Sequence, residues 1–329
     1  MARIVAFTLN PSIDLSTAVD WVRPDQKLRC DPPAMFPGGG AVNVARVASR
    51  LGADVELIYP AGGATGLLLR RLIDAEGIPN LAIQLEAETR EDLTVRERET
   101  GAEYRFVFPG PPLSADALDS CLRALAAASI HPSFIVASGS LPPGVPPDVL
   151  ARIARSARQA KTRFAVDTSG PALARVLQEG VYLVKPNLRE FRELLGPIND
   201  DPASLCEAAG AIIDRGQASI VALSLGARGA LIVTEDEAWT AVGPPVNLVS
   251  TVGAGDSFLG GLLWALDAGL PVREAFRYGV AAGAAAVQTP GTGLANKADV
   301  ERLLPAVRVE LMRIKRSSGS IARISAAER

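Results

Sequence analysis

Two glycine-rich segments hold the residue types from which phosphoryl-transfer chemistry can be built. In STVGAGDSFLGGLLWAL (250–266), Gly253, Ala254 and Gly255 run into a helical pattern whose first turn holds Asp256. Small residues let successive backbone amides converge on an anion, and the helix dipole adds to the attraction. Asp256, beside that nest, could accept a proton from an attacking hydroxyl. The plainer alternative is an acid that stabilises the helix start, worth about 0.3–1 kcal/mol. In PGGGAVNVARVASRLG (37–52), Gly38 and Gly39 precede an amphipathic helix whose first turn carries Asn43, an amide suited to sugar hydroxyls. The alternative there is a flexible loop before a capped helix.

Other phosphate motifs are absent. There is no G-x-x-x-x-G-K-[ST], and no strand leads into G-x-G-x-x-G, which disfavours a P-loop enzyme and a dinucleotide dehydrogenase. SLGARGA (224–230) fits either a backbone contact to a nucleotide or a plain hairpin turn.

The elements that would position these residues alternate. Strands are predicted at 4–9, 55–60, 134–140, 163–167, 182–186, 219–226 and 230–234, and helices at 42–52, 65–77, 114–128 and 148–160. Such alternation argues for an α/β fold with a mainly parallel sheet covered on both faces, its ligand crevice beyond the carboxyl ends of the strands. Two stretches, 13–35 and 86–108, read as strands and turns without helices. In the second, LTVRERE and YRFVF flank Thr100-Gly101 as a hairpin. Together they are expected to form a small β-sheet lid over the crevice. The core is then 1–12, 36–85 and 109–310, and the basic tail 311–329 is expected to be poorly ordered.

Composition narrows the partners. The formal net charge of −2 supplies no field for nucleic acid or an anionic membrane, so neither is an expected partner. Cys30, Cys121 and Cys206 form no paired motif, which fits a reducing cytoplasm. The N-terminus lacks a signal-peptide pattern, and FLGGLLWAL is closed by Asp267 before it could span a bilayer. The one histidine, His131, cannot build a metal site and is expected to be inert, leaving proton transfer to a carboxylate.

The two signatures, in this order, resemble those of the PfkB, or ribokinase-like, carbohydrate kinases. VKPNLREF (184–191) resembles that family's N-x-x-E segment and SLGARGA its nucleotide loop, so the likeness runs from Ile4 to about Leu304. It implies a Rossmann-like core with a β lid, a homodimer through the lids, and ATP with Mg2+. It makes Asp256 the general base and Gly253, Ala254 and Gly255 the anion hole. Lys185, Asn187, Ser224, Gly226, Gly229 and Thr251 would meet the nucleotide. Glu190 and Asn187 would organise Mg2+ through water, while Ser250, Val252, Ala286, Gly291 and Gly293 fall where carbonyls hold K+.

The same likeness bears on the acceptor. TLNPSID (8–14), KLRC (27–30) and TRED (89–92) resemble the phosphosugar branch. Asp14, Gly38, Gly39 and Asn43 would read sugar hydroxyls. Lys27, Arg29 and Arg90 would clamp an existing phosphate, and Ser138, Gly139 and Ser140 would lie near the substrate. Ser250 replaces an aspartate common in the family, as in its phosphofructokinase branch. Gly40 and Ala41 stand where some relatives carry lysine, which favours fructose 6-phosphate phosphorylated at carbon 1. The alternatives are tagatose 6-phosphate, fructose 1-phosphate, a neutral sugar or a nucleoside. A non-catalytic binding protein would not need Asp256, the anion hole and Glu190 together.

Overall fold

A computed structural model of the chain describes residues 3–128 and 131–312. In chain order its strands are β1 (Ile4–Phe7), β2 (Ser12–Val19), β3 (Ala34–Gly38), β4 (Val55–Gly62), β5 (Asn80–Leu85), β6 (Arg90–Glu97), β7 (Glu103–Val107), β8 (Phe134–Ser138), β9 (Arg163–Asp167), β10 (Val181–Val184), β11 (Ala218–Ser224), β12 (Ala230–Val233), β13 (Ala238–Val242) and β14 (Arg308–Met312). The helices are α1 (Gly40–Leu51), α2 (Gly63–Ala75), α3 (Ala115–Ala127), α4 (Val149–Gln159), α5 (Gly170–Glu179), α6 (Leu188–Leu195), α7 (Pro202–Asp214), α8 (Ala254–Asp267), α9 (Val272–Ala286) and α10 (Lys297–Leu303).

Ten strands form one sheet in the order β14-β13-β12-β11-β10-β9-β8-β1-β4-β5. From β5 to β11 neighbours run parallel, and β12, β13 and β14 add antiparallel pairs at one edge. Alternate residues of a strand face opposite sides, so Ile4 and Ala6 join the core beneath α1, α8 and α9, while Val5 and Phe7 join that beneath α4, α5 and α7. This is the expected three-layer α/β class. β1 lies between β4 and β8, so the chain reverses its direction of sheet growth there, and the crevice opens beyond the carboxyl end of β1.

The second sheet has four strands in the order β3-β2-β6-β7. β6 and β7 pair antiparallel across Thr100-Gly101, as the sequence predicts, and β2 joins β6 in parallel register, setting Ser12 against Arg90 and Asp14 against Asp92. This sheet is rooted in the core at its entry: Glu88 accepts from the Ala64 and Thr65 amides at the start of α2. It exposes Phe106, Val107 and Phe108 at the β7 edge, Met35 on β3 and Trp21 in the loop between β2 and β3.

Two expectations change. The tail was expected to begin at 311, but Leu311 and Met312 pair with Trp239 and Ala238, because β13 leaves an open edge that β14 completes. The rest of the tail lies outside the described residues. β5, β13 and β14 are strands that the alternation did not predict; their outer positions are exposed or half-exposed, so no long apolar run marks them. His131 sits in an exposed bend before β8, at the opposite end of the sheet from the crevice.

Packing of α1 on α8 needs a glycine. A Cβ at Gly260 would lie 2.9 Å from Val47 Cβ and 3.0 Å from the Val44 carbonyl oxygen. Because α1 carries Asn43 and α8 carries Asp256, a wedge here separates both helices and both side chains. Gly260→Val is expected to cost about 1–3 kcal/mol through overpacking, read from urea unfolding. It is also expected to lower turnover in whatever reaction the site performs.

Candidate active site

The predicted residues collect along one edge of the large sheet, and the strand ends explain why. Ser138 ends β8, Asp167 ends β9, Lys185 follows β10 and Ser224 ends β11. Ser138 and Asp167 are register partners, and Asn187 bridges to Ser224.

α8 opens at Gly253, whose φ of 73° is a left-handed conformation that disfavours a side chain, and a Cβ there would lie 2.3 Å from Leu294 Cδ2. The first amides of α8 have no carbonyl partner four residues back, and that of Ala254 makes only a long contact, 3.5 Å, with the Thr251 carbonyl. Asp256 follows within the first turn. Asn43 Nδ2 donates to Asp256 Oδ2 at 2.9 Å. Burial pushes the Asp256 carboxyl above its ordinary value of 3.8; the Asn43 donor and the Lys185 ammonium oppose the rise, as does Arg105, while Asp14 adds to it. A carboxylate desolvated yet hydrogen-bonded is a stronger base than one in water.

Lys185 is buried and pairs with Asp167 Oδ2 at 2.9 Å. Burial opposes its charge, but Asp167, Asp256 and Glu190 together outweigh that and raise its pKa. Asp167 is itself raised, mainly by burial. Asn187 and Glu190 form a capping box at α6: Asn187 Oδ1 accepts from the Glu190 amide, and Glu190 Oε2 accepts from the Asn187 amide, each at 2.9 Å. The N-x-x-E spacing therefore has a structural role as well, and Glu190 keeps its other oxygen. Burial and the nearby Asp167 raise the Glu190 pKa.

On the opposite side, Asp14 is held by the Ser12 hydroxyl at 2.7 Å, and a Cβ at Gly38 would meet Asp14 Oδ1 at 2.0 Å. Gly38 thus lets the β3–α1 turn close on the carboxylate. Gly39 begins α1, and Gly139, after β8, receives Thr168 Oγ1 on its carbonyl at 3.0 Å. Arg90 spans the two sheets: Nη1 pairs with Asp92 Oδ2 at 2.8 Å, and Nη2 donates to the Asn10 carbonyl at 3.3 Å. Its Nε is buried without a partner, as is Asn10 Oδ1, while Asn10 Nδ2 donates to Ser140 Oγ at 2.9 Å. Lys27 and Arg29 are not brought to this cluster; they lie in the exposed loop between β2 and β3.

On the nucleotide side, Gly226 and Gly229 bracket a short turn that joins β11 to antiparallel β12, so SLGARGA is a hairpin by architecture, and its place at the carboxyl end of β11 puts it on the site edge. The Thr251 amide and hydroxyl both donate to Glu103 of β7, at 3.1 and 3.4 Å. Of the carbonyls expected to hold potassium, that of Ala286 already accepts from Thr289 Oγ1 at 2.8 Å and that of Gly293 from Arg50 Nη1 at 2.7 Å. Ser250 and Val252 are buried beside them, the Ser250 amide donating to the Val287 carbonyl at 3.2 Å, and Gly291 turns the loop with a φ of 53°.

Sequence reasoning missed Asp167, Arg105 and Arg46. Asp167 carried a signal, being a carboxylate at the end of the predicted strand RFAVD. Arg105 and Arg46 lie within regular patterns and carried none.

A helix start with Asp256 in its first turn, hydrogen-bonded to Asn43 and close to a buried Lys185–Asp167 pair at the carboxyl edge of a parallel sheet, is an arrangement suited to phosphoryl transfer in an α/β enzyme. Comparison with known proteins agrees. The model of the pfkB family of carbohydrate kinases matches residues 1–299, and the chain belongs to that family. It is 44% identical over 301 residues to the ATP-dependent 6-phosphofructokinase isozyme 2 of Mycobacterium tuberculosis, covering 91% of this chain and 88% of that one. It is 35% identical over 298 residues to a 1-phosphofructokinase of Haloferax volcanii, covering 90% and 95%. Among solved structures, phosphofructokinase-2 from Escherichia coli in complex with substrates and products superposes with a TM-score of 0.89 at 38% identity, covering 93% and 99%. The chain is therefore an ATP-dependent carbohydrate kinase.

The electrostatics can be checked directly. With carboxyl carbons labelled, Asp256 should titrate above the ordinary aspartate range. Asn43→Ala removes a donor that favours the charged form, so the titration should move further up. An unchanged midpoint in Asn43→Ala would show that the contact carries no charge stabilisation.

Proposed function

We propose that the protein transfers the γ-phosphoryl group of ATP to the carbon-1 hydroxyl of fructose 6-phosphate. The observation that carries this reading is the half-buried Asp256–Asn43 hydrogen bond at the start of α8, where Asp256 feels the charges of both Lys185 and Asp14. The relatives named above as 6-phosphofructokinases support the acceptor, and one E. coli structure among the neighbours holds fructose 6-phosphate.

In the reaction, Asp256 takes the carbon-1 hydroxyl proton as that oxygen bonds to the γ-phosphorus. The bond from the γ-phosphorus to the bridging oxygen breaks in line, and ADP leaves with the electron pair. Proton removal by a placed base contributes about 10²–10⁴ in rate. The amides at Gly253, Ala254 and Gly255 hold the charge that spreads over the phosphoryl oxygens. Asp14, Gly38, Gly39 and Asn43 orient the sugar, with Ser138, Gly139 and Ser140 beneath it. Arg90 meets the 6-phosphate through its unpartnered Nε; Lys27 and Arg29 reach it only when their loop closes or is supplied by a second copy. The small sheet acts as a lid that excludes water. Lys185, Ser224, Gly226, Gly229 and Thr251 receive the nucleotide.

A magnesium ion fits this site. No group of three or more metal-binding side chains occurs among the described residues, so the ion must arrive on the nucleotide's phosphates and be steadied by one or two carboxylates through water. Glu190, with Asn187 behind it, and Asp167 supply that excess of negative charge. When bound, the ion neutralises charge on the phosphoryl oxygens. A potassium ion would be held by Ser250, Val252 and Gly291, with the remaining lone pairs of Ala286 and Gly293. Dimerisation through the lids would cover the exposed Trp21, Met35, Phe106 and Phe108; one E. coli relative forms a tetramer in its inhibited state, so larger assemblies are a measured alternative for it. No described helix is long and apolar enough to cross a membrane. Free Cys30, Cys121 and Cys206 support a cytoplasmic setting.

The test is ADP release from Mg·ATP with fructose 6-phosphate, fructose 1-phosphate, tagatose 6-phosphate and free fructose. Fructose 6-phosphate is expected to give the highest kcat/KM. Arg90→Ala should raise KM for phosphosugars and leave free fructose unaffected. Asp256→Asn should lose turnover by about 10²–10⁴ while still binding ATP; near-normal turnover in that variant refutes the base assignment, and a preference for another phosphosugar moves only the acceptor.

A further inference from the structure

We infer that Arg46 is a positioning residue for phosphoryl transfer: anchored by Glu76, it orients the Asn43 amide toward Asp256 and ties the sugar-side turn to the loop behind the anion nest. The inference rests on the assignment of Asp256 as the base.

Arg46 lies on α1, three residues after Asn43 and on the same face of the helix. It is 1% exposed, the largest fully buried side chain in the described structure. A guanidinium in that position is costly unless its donors are all answered. Here the fork is distributed with purpose. Nε and Nη2 hold Glu76 Oε1 at 2.8 and 2.7 Å. Nη1 donates to the Pro37 carbonyl at 3.1 Å, to the Thr292 carbonyl at 2.9 Å, and to Asn43 Oδ1 at 3.4 Å. Glu76 sits just past the end of α2, where Arg50 also binds it through Nε and Nη2. Burial alone would raise the Glu76 pKa, but the two guanidiniums outweigh it and keep the carboxyl below its ordinary value, so the anchor stays charged.

The contact with Asn43 bears on chemistry because an amide has two unlike ends. Asn43 can face Asp256 with its NH2, which stabilises the carboxylate, or with its oxygen, which repels it. A guanidinium donor on the other end admits only the first. Asn43 Nδ2 then holds Asp256 Oδ2 and leaves Oδ1 to meet the acceptor hydroxyl. The other two contacts fix the neighbours of the same site. Pro37 precedes Gly38, which closes on Asp14, and Thr292 lies two residues before Leu294, the side chain packed against Gly253. One buried cation thus joins the sugar turn, the amide and the floor of the anion nest. An apolar residue of similar size would fill the space and do none of this.

A double-mutant cycle decides it. We would measure kcat and both KM values for the wild type, Arg46→Met, Asn43→Ala and the double variant, with fructose 6-phosphate and Mg·ATP. Arg46→Met is expected to lower kcat on the order of tenfold, the low end of what support for a site residue is worth, with KM for ATP within about twofold. In the Asn43→Ala background the same change should cost clearly less, because the amide is gone and only the contacts to Pro37 and Thr292 remain to be lost. Equal losses in both backgrounds, or turnover within about twofold of wild type, would overturn the inference. Arg46→Lys, which keeps the charge against Glu76 but not the fork, carries the same cycle if Arg46→Met does not purify folded by circular dichroism and thermal melting. Asp256→Asn separates the two claims: an inactive Asp256→Asn with an additive cycle sinks the role of Arg46 alone, whereas an active Asp256→Asn removes the base reading first.

Discussion

The site depends on a buried ammonium. Lys185 faces Asp167, Asp256 and Glu190 at the carboxyl edge of the sheet, away from water. Three carboxyls drawn toward one lysine leave negative charge in excess, and burial alone pushes each of them toward the neutral form. Three features keep Asp256 able to act as an anion: the Asn43 donor, the Lys185 charge and the Arg105 charge. The excess that remains would favour a cation beside the carboxyls. A site built this way is electrostatically incomplete until its substrates enter.

That arrangement follows from topology. Ser138, Asp167, Lys185 and Ser224 come from four neighbouring parallel strands and share an edge because parallel strands end together. Asp14, Gly38, Gly39 and Asn43 come from the other side of the switch point, after β1 and β3, so the crevice is where two halves of the chain meet. Asn43 and Asp256 lie 213 positions apart in sequence and meet because α1 and α8 pack without a side chain at Gly260. Close helix packing is here a condition of the chemistry.

Much of this was legible in the residues. The glycine signatures pointed to Asp256 and Asn43 because glycine with an acid or amide at a helix start has few uses, Asp14 came from the likeness of TLNPSID to the phosphosugar branch, and strand–helix alternation pointed to the class of the core. The hairpin at Thr100-Gly101 was readable from its turn. What was not legible had physical reasons. β13 and the edge strand β14 leave most of their positions exposed or half-exposed, so their apolar content is weak. Arg46 and Arg105 look like ordinary charged positions of a helix and a strand, and only the third dimension shows that one is buried and the other stands near Asp256. Asn187 and Glu190 were assigned to a metal, and the structure adds that their spacing first serves to cap α6.

The small sheet touches both halves of the reaction. Through β6 it contributes Arg90 to the sugar side, and through β7 it contributes Arg105 near Asp256 and Glu103 to the Thr251 amide and hydroxyl. Arg96 of the same hairpin donates to the Val249 carbonyl. A carboxylate on Thr251 uses the donors that a nucleotide phosphate would need, so any phosphate binding there must displace Glu103. The exchange is cheap, because Glu103 lies near water and loses little on leaving. Displacement would loosen β7 where it lies nearest the base, and a 6-phosphate drawing on Arg90 would tighten β6 at its other end.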